Sequence, residues 1–258
     1  MVLPKKGKAI LWDELSWKDI QQLTEKMKMA ILPTASIEQH GPHLPLSVDT
    51  IDCYEVAKRV SAKTGVPVVP PLCYGSSGSH GDFPGTLSIS PETMMRMIVE
   101  ISGWLYKAGI RKIMILNGHM WNWGPIYCAR DILREKFSDL QVRVQDWWSV
   151  TDSVLKKLVR DCPETRGWGG YIHANEAETA CVLAVRPDLV EMDKAVNEGD
   201  HLTFFEYRSD RYTKSGVIGV AATKATAKFG EEILEEAATE LAKLVEKGLK
   251  EELPSKTI

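Results

Sequence analysis

Residues 29–43 carry the chain from an apolar run into a polar segment, and they read MAILPTASIEQHGPH. The first four residues predict a strand, Met29–Leu32. Glu38 and His40 follow two residues apart on an extended segment, so their side chains project from the same side of the chain. Both side chains can therefore reach one centre, or two neighbouring centres, at the end of the strand.

The same pattern recurs along the chain, since short β-branched apolar runs alternate with longer amphipathic stretches. This alternation indicates βα units, an α/β fold and a mainly parallel sheet. Further strands are predicted at Val66–Val69, Lys112–Leu116 and Gln141–Val144. Helices are predicted at Thr50–Lys63, Pro91–Lys107, Pro125–Lys136, Asn175–Ala184 and Ala225–Gly248. No repeat or Pro/Gly/Ser-rich linker divides the chain, so we expect a single domain over residues 1–258.

Two loops are rich in glycine and polar residues, Tyr74–Thr86 and Glu164–Tyr171, and both lie where βα loops are expected. In open α/β sheets, ligands bind outside the carboxyl ends of the strands. These loops are therefore candidate walls of a binding site.

Composition excludes several classes of function. The chain has 258 residues, 44% of them hydrophobic and 26% charged, with a formal net charge of -3, so nucleic acid or an anionic membrane is not an expected partner. The apolar runs are shorter than the roughly 18 residues that span a bilayer. Met1–Lys8 lacks the apolar segment of a secretory signal, which predicts a cytoplasmic protein. The five cysteines lack metal-site spacing and are expected to be reduced, mostly buried thiols.

Asp49 and His119 stand at two further strand–helix junctions. Asp49 precedes the first long helix, where it could equally serve as the helix cap. His119 follows Asn117 and Gly118 at the end of a strand; the glycine permits close backbone approach, although a lone histidine there could also be structural. Either residue alone is ambiguous.

The third cluster is His173-Ala174-Asn175-Glu176-Ala177-Glu178-Thr179, which opens a helix with His173 just ahead of the first turn. Asn175 and Glu178 lie three residues apart and share a helix face. The three clusters together supply imidazoles and carboxylates of the type that binds Zn²⁺, Mn²⁺ or Fe²⁺. The predicted ligands are Glu38, His40, Asp49, His119 and Glu178.

Charge balance favours two divalent ions per chain at this site. The three carboxylates carry three negative charges and would raise one another's pKa values if left uncompensated. Two divalent cations bring four positive charges, which leaves a net charge of plus one at the site. A bridging hydroxide would neutralise this remaining charge. A metal lowers the pKa of bound water to about 7, so this hydroxide is the predicted nucleophile.

Residues 36–46, SIEQHGPHLPL, followed by Asp49, resemble the signature of the creatininase (creatinine amidohydrolase) family. The motifs at 83–86, 117–119 and 173–179 fall in the order of that family, and the resemblance covers residues 30–190. It implies a single three-layer α/β/α domain with paired metals, in a homo-oligomer that is often a hexamer. The family includes creatininase, formamide hydrolases, a mycofactocin peptide hydrolase and enzymes that open inositol-derived cyclic diketones.

Carried over residue by residue, the resemblance implies that Asp49 bridges the two metals. It places Glu38 and His119 on one metal, His40 and Glu178 on the other, and makes His173 a proton donor to the substrate. One departure concerns the residues after His119. Creatininase carries a Tyr-Glu pair there, whereas this chain has Met120 and Trp121. Because Trp cannot ligate a metal or carry a proton, a family member other than creatininase is expected.

The predicted reaction is hydrolysis of a small polar cyclic amide or a formamide. The alternative is hydrolytic carbon–carbon ring opening of an inositol-derived cyclic diketone, since both begin with addition of hydroxide to a carbonyl. Backbone N–H groups at 75–81 are expected to hold the oxyanion. The predicted substrate contacts are Ser76, His80, Trp121, Trp148 and Trp168.

Two rival functions are weaker. The serine-rich stretch at 75–79 could indicate a serine hydrolase, but it lacks the G-x-S-x-G spacing of a nucleophile elbow. A non-catalytic metabolite-binding protein would not need five side chains that all coordinate metals. The sequence therefore favours a metal-dependent hydrolase.

Overall fold

The computed structural model describes residues 7–150, 173–198, 206–219 and 221–255. The strands are β1 Met29–Thr34, β2 Lys112–Asn117 and β3 Gln141–Asp146. The helices are α1 Trp17–Lys26, α2 Val48–Thr64, α3 Pro91–Lys107, α4 Trp123–Lys136, α5 Glu176–Val185 and α6 Ala227–Lys250.

The three strands form a parallel sheet in the order β1-β2-β3. Their register places Thr34 opposite Asn117, and Asn117 opposite Asp146. All three strands therefore end at one edge of the sheet, and the loops that leave them meet there.

Helices cover both faces of this sheet. On β1, Ile31 points into a core formed with α2, α5 and α6, whereas Leu32 points into a second core formed with α3 and α4. On β2, Met114 and Ile115 divide between the same two cores in the same way. This period-two alternation of apolar side chains is what a sheet buried on both faces requires. The predicted three-layer α/β/α arrangement is confirmed.

The segment Val66–Val69, predicted as a strand, lies beside β1 without forming a regular strand. Val68 makes isolated parallel bridges to Ile31 on one side and Leu11 on the other. Pro67 and Pro70 flank Val68 and Val69, and a proline has no N–H to donate to a ladder of hydrogen bonds between strands. The prediction was therefore right about the position of this segment and wrong about its regularity.

The predicted helices agree with the observed ones to within two residues at either end. Helix α1 was not predicted, although its start carries a capping box in which the Ser16 side chain accepts from the Asp19 backbone and Asp19 bonds back to Ser16. Asp49 does not cap α2: the cap residue is Ser47, and Asp49 lies in the first turn. The capping alternative for Asp49 is thus excluded.

The thiols of Cys53 and Cys181 are free and buried, whereas Cys128 is free and exposed. Cys162 and the loop Glu164–Tyr171 lie outside the described residues. Within the described ranges, no helix combines the length and the apolar character that crossing a membrane requires.

Candidate metal centre

The five predicted ligands converge at the edge of the sheet where the strands end. Glu38 and His40 follow β1, and His119 follows β2. Asp49 and Glu178 lie in the first turns of α2 and α5. The first four are at most 5% exposed, and the Glu178 side chain is 27% exposed.

A glycine brings His119 against α2. A Cβ atom on Gly118 would lie 2.6 Å from Cβ of Cys53 and 2.9 Å from the carbonyl oxygen of Asp49. Only a residue without a side chain lets the chain pass this close to the helix. The close approach that the sequence suggested at Gly118 is therefore present, and it sets His119 beside Asp49.

A strained residue turns the chain between His173 and α5. Ala174 has φ 54°, in the left-handed region that non-glycine residues rarely adopt. Its N–H donates to Oε2 of Glu178 at 2.5 Å, while the Asn175 side chain caps the helix by accepting from the Glu178 N–H. The turn thus directs both His173 and Glu178 into the same cluster.

Asp49 lies at the centre of the cluster, and its two oxygens face different imidazoles. Oδ1 is 3.3 Å from Nε2 of His40, and Oδ2 is 3.1 Å from Nδ1 of His119. His119 Nε2 is 3.3 Å from Oε2 of Glu38, and His40 Nε2 is 3.9 Å from Oε2 of Glu178. The carboxylate of Asp49 therefore stands between the two ligand groups that the family resemblance implied.

A backbone carbonyl lies beside one nitrogen of each imidazole, and the other nitrogen, Nε2 of His40 or Nδ1 of His119, faces Asp49. His40 Nδ1 lies 3.1 Å from the Glu38 carbonyl, and His119 Nε2 lies 3.3 Å from the Ser76 carbonyl. Inside the cluster, His40 Nε2 and Glu38 Oε2 are buried without a hydrogen bond. Buried polar atoms normally have a partner, and histidine ligands normally donate their outer N–H in this way, so the donor set fits divalent metals.

The charges of the cluster are strongly coupled in the metal-free protein. Burial raises the pKa of Glu38 to about 7. Burial by itself lowers the pKa of His40, but the carboxylates of Asp49, Glu178 and Glu38 together outweigh it and raise that pKa to about 10. For His119, the Glu38 and Asp49 carboxylates outweigh burial and raise the pKa to about 9. Without metal, protons on imidazoles therefore balance the carboxylates, and a divalent cation would replace them.

His173 presents Nδ1 to the cluster. Its Nε2 donates to the Gln39 carbonyl at 2.6 Å, and its Nδ1 is 3.8 Å from Oε1 of Glu38. Burial holds the pKa of His173 well below its usual value, so the ring is neutral and Nδ1 carries a lone pair. The predicted role of His173 as a proton donor therefore requires that Nδ1 first takes up a proton.

Two of the predicted substrate contacts line one cleft beside the cluster. Its volume is about 860 Å³, within the usual range for small-ligand sites. Ser76 and Trp121 both line it. Since the Ser76 carbonyl also faces His119, this cleft adjoins the ligand cluster.

The other predicted substrate contacts are not among the residues that line this cleft. His80 is fully buried, with its Nε2 3.6 Å from Oε1 of Glu38, which places it within the cluster. Trp148 packs against the core around α2 and α6 and stands edge-to-face with Trp147. Trp168 lies outside the described residues.

Four of the backbone N–H groups at 75–81, the segment predicted to hold the oxyanion, are hydrogen-bonded within the protein. The N–H groups of Ser76 and Ser77 donate to side chains of Asn122 and Ser88. Those of His80 and Gly81 donate to carbonyls within the loop. These four N–H groups hold the loop in shape and are not available to a substrate.

Several supporting residues were not assigned from the sequence. The Ser36 hydroxyl donates to Oδ2 of Asp49 at 2.5 Å, and His43 is hydrogen-bonded to Thr179, next to Glu178. Asn122 is fully buried and ties the chain after β1 to the loop at Ser76. Ser36 and His43 fall inside the motif at 36–46, which was the available signal; nothing in the sequence marked Asn122.

The fold and this cluster define a metal-binding hydrolase of the α/β class. The chain belongs to the creatininase family, because a match to that family, described as creatinine amidohydrolase, spans residues 13–245. The resemblance noted in the sequence is thereby confirmed.

Three curated relatives that are similar to this chain are named as different hydrolases. "Creatinine amidohydrolase" of Pseudomonas putida is 32% identical over 250 residues, covering 89% of this chain and 93% of the relative. "Mycofactocin precursor peptide peptidase" of Mycolicibacterium smegmatis is 32% identical over 231 residues, covering 84% and 83%. "3-dehydro-scyllo-inosose hydrolase" of Thermotoga maritima is 28% identical over 195 residues, covering 73% and 60%.

Solved structures of creatininase are similar throughout the fold. One creatininase crystal structure has a TM-score of 0.85 at 28% identity, over 94% of this chain and 99% of that one. A Zn-Zn form of a glutamate-to-glutamine creatininase variant has a TM-score of 0.85 at 27% identity, over 95% and 100%. A creatininase named for Mn has a TM-score of 0.84 at 28% identity, over 95% and 100%.

Proposed function

We propose that this hydrolase holds two divalent ions through Glu38, His40, Asp49, His119 and Glu178, with Asp49 serving both. The position of Asp49, one oxygen toward each of two imidazoles, carries the proposal. Zn²⁺ is the first choice, with Mn²⁺ or Fe²⁺ also suited to these ligands. When bound, such ions polarise a carbonyl and activate water for attack.

Within this site, His173 is the proposed proton carrier. Its Nε2–H is engaged by the Gln39 carbonyl, so Nδ1 is the atom that accepts a proton from the attacking water. The same nitrogen then returns the proton to the leaving atom, which is general base followed by general acid catalysis. Trp121 supplies an aromatic wall for a flat or cyclic substrate in the cleft.

The proposed substrate is a small polar cyclic amide or a formamide, with cleavage of a C–N bond. The full-length similarity to a creatinine amidohydrolase supports this class of reaction. We further propose that residues 1–258 form one catalytic domain. A homo-oligomer, hexameric as the family resemblance implies, belongs to the same proposal.

A second candidate is hydrolytic opening of a cyclic diketone, with cleavage of a C–C bond. It is favoured by Trp121, which stands where creatininase carries a glutamate, and by the relative named 3-dehydro-scyllo-inosose hydrolase. An aromatic ring at this position offers stacking in place of a carboxylate.

Parallel assays distinguish the two candidates. Purified protein is tested on creatinine, on an N-formyl amine and on a hydroxylated cyclic 1,3-diketone, before and after chelation and after addition of Zn²⁺ or Mn²⁺. Metal-restored turnover of an amide supports C–N cleavage, and turnover of the diketone alone supports the second candidate. Activity that survives complete removal of metal contradicts both.

The variant His173→Ala tests the proton carrier. We expect kcat to fall by about 10²–10⁴-fold, the usual size of a general acid–base contribution, while the metal content stays unchanged. Loss of metal from this variant would instead make His173 a ligand.

A further inference from the structure

The amide of Gln39 has a fixed orientation. Its Oε1 accepts the N–H of Gly41 at 2.9 Å, and its Nε2 donates to the carbonyl of Gly216 at 3.2 Å. A backbone donor on one side and a backbone acceptor on the other distinguish the two ends of the amide. Reversing the amide would oppose N–H to N–H at Gly41 and oxygen to oxygen at Gly216.

This orientation determines which nitrogen of His80 carries the proton. Nε2 of Gln39 lies 2.9 Å from Nδ1 of His80. Because the amide nitrogen has only hydrogens to offer, Nδ1 must be the acceptor, and the proton of the neutral ring resides on Nε2. Nε2 of His80 faces Oε1 of Glu38 at 3.6 Å.

An anchored turn holds Gln39 in place. The carboxylate of Glu198 accepts from the N–H groups of Lys214 and Ser215 at 2.7 and 2.9 Å, and from the hydroxyl of Thr213 at 2.7 Å. These contacts fix the turn that ends at Gly216. A Cβ atom on Gly216 would lie 1.8 Å from Oε1 of Gln39, so the turn can close on the amide only with glycine at this position.

We propose that Gln39 is a positioning residue, which holds His80 as the Nε2–H tautomer, so that His80 turns an N–H toward Glu38 instead of the lone pair of a metal ligand. Distances alone would allow ligation, because ligand atoms of Glu38, His80 and His173 lie within 4.8 Å of one another. Protonation of Nε2 removes the lone pair that a metal needs. The Nε2–H of His80 faces Oε1 of Glu38, while Oε2 of Glu38 faces His119 at 3.3 Å.

The part of this inference that concerns metals rests on the proposed function, whereas the tautomer of His80 can be measured without metal. The experiment uses long-range ¹H–¹⁵N correlation spectra of the metal-free, full-length protein labelled at its six histidines. His80→Asn assigns the His80 signals. We expect a protonated Nε2 and an unprotonated Nδ1, and the opposite pattern would overturn the inference.

Zn²⁺ is then added to the same sample. We expect His80 to keep its Nε2 proton while other imidazoles become coordinated. Loss of that proton from His80 would make it a ligand and overturn the inference. If no histidine signal responds to Zn²⁺, the proposed function fails, but the tautomer measured beforehand still stands.

Two variants test the positioning role. Gln39→Glu replaces the amide nitrogen with an acceptor, so the proton of His80 should move to Nδ1. Glu198→Gln removes part of the anchor, since one amide oxygen replaces two carboxylate oxygens, and should give a mixture of tautomers. Glu232→Gln, at a half-buried position on α6, is the control and should leave the signals unchanged.

A folded Gln39→Glu protein whose His80 signals match the wild type would overturn the role of Gln39. Unchanged signals in Glu198→Gln would overturn the role of the anchored turn. Should Gln39→Glu fail to fold, the wild-type spectrum decides the tautomer and Glu198→Gln decides the positioning.

Discussion

Among single residues, Asp49 matters most to the proposed metal centre, because its carboxylate must stay charged. Burial would raise the pKa of this carboxyl, yet His40 and His119 outweigh burial and hold it well below the usual value. The carboxylate therefore stays charged at neutral pH. Its neighbour one helical turn on, Asp52, is also buried, but burial raises its pKa well above the usual value and neither of its oxygens has a hydrogen bond.

These two aspartates form a matched pair of variants. Asp49→Asn should weaken binding at both metal positions, by more than the roughly 10–100-fold that loss of an outer-shell partner costs. Asp52→Asn replaces a buried carboxyl, whose pKa burial raises well above the usual value, with a neutral amide of the same shape, and should bind metal as the wild type does. Elemental analysis after dialysis measures both. A full metal content in Asp49→Asn would refute the shared ligand.

The proposed ligands could be predicted from their side-chain chemistry. Hydrogen bonds between distant segments could not be predicted from the sequence. Glu38, His40 and His119 could be proposed because coordinating residues followed predicted strands. The contact of Gln39 with Gly216 joins positions 177 residues apart, and no local pattern reports such a pairing. For the same reason the sequence did not indicate the hydrogen bond between Gln39 and His80.

At the scale of elements, the close approach of the β2 loop to α2 aligns His119 with Asp49. Periodicity predicted both elements, because apolar side chains repeat along them. Helix α1 was missed although Trp17, Ile20 and Leu23 recur at helical spacing after its capping box, whereas at Val66–Val69 prolines interrupt the ladder. The contact itself depends on a missing side chain, and the sequence could only suggest it through Gly118.

Replacement of this glycine tests the contact. In Gly118→Ala, the new Cβ meets Cys53 and the backbone of Asp49, so we expect the free energy of unfolding to fall by about 1–3 kcal/mol, as in other overpacked sites. Gly124→Ala is the control, because a Cβ there has nothing within 4 Å and alanine favours a helix. Urea denaturation measures both. Equal stability of Gly118→Ala and the wild type would show that the approach is not constrained.

In the molecule as a whole, the proposed metal centre would join parts of the chain that are distant from one another in sequence. Its proposed ligands come from the segments after β1 and β2 and from the first turns of α2 and α5. Metal binding should therefore stabilise the fold as a unit. Alternating apolar residues predicted the layers of this fold, but the joining of its layers through one charged cluster follows only from the three-dimensional arrangement.

Thermal unfolding measures this linkage. Free metal at 100 times its dissociation constant stabilises a protein by about 2.7 kcal/mol, which raises Tm by about 5–10 °C for a chain of this size. We expect that increase when Zn²⁺ is added to chelated protein, and a much smaller one in Asp49→Asn. Equal increases in the two proteins would place the stabilising metal elsewhere.

The most direct test of the binuclear centre is metal content per chain, measured by elemental analysis on protein purified without chelator, for the wild type and for Glu38→Gln. The proposed binuclear centre predicts close to two divalent ions in the wild type and one or fewer in the variant, because Glu38 contributes to one of the two positions. No bound metal in either protein, even after incubation with Zn²⁺ and Mn²⁺, would contradict it.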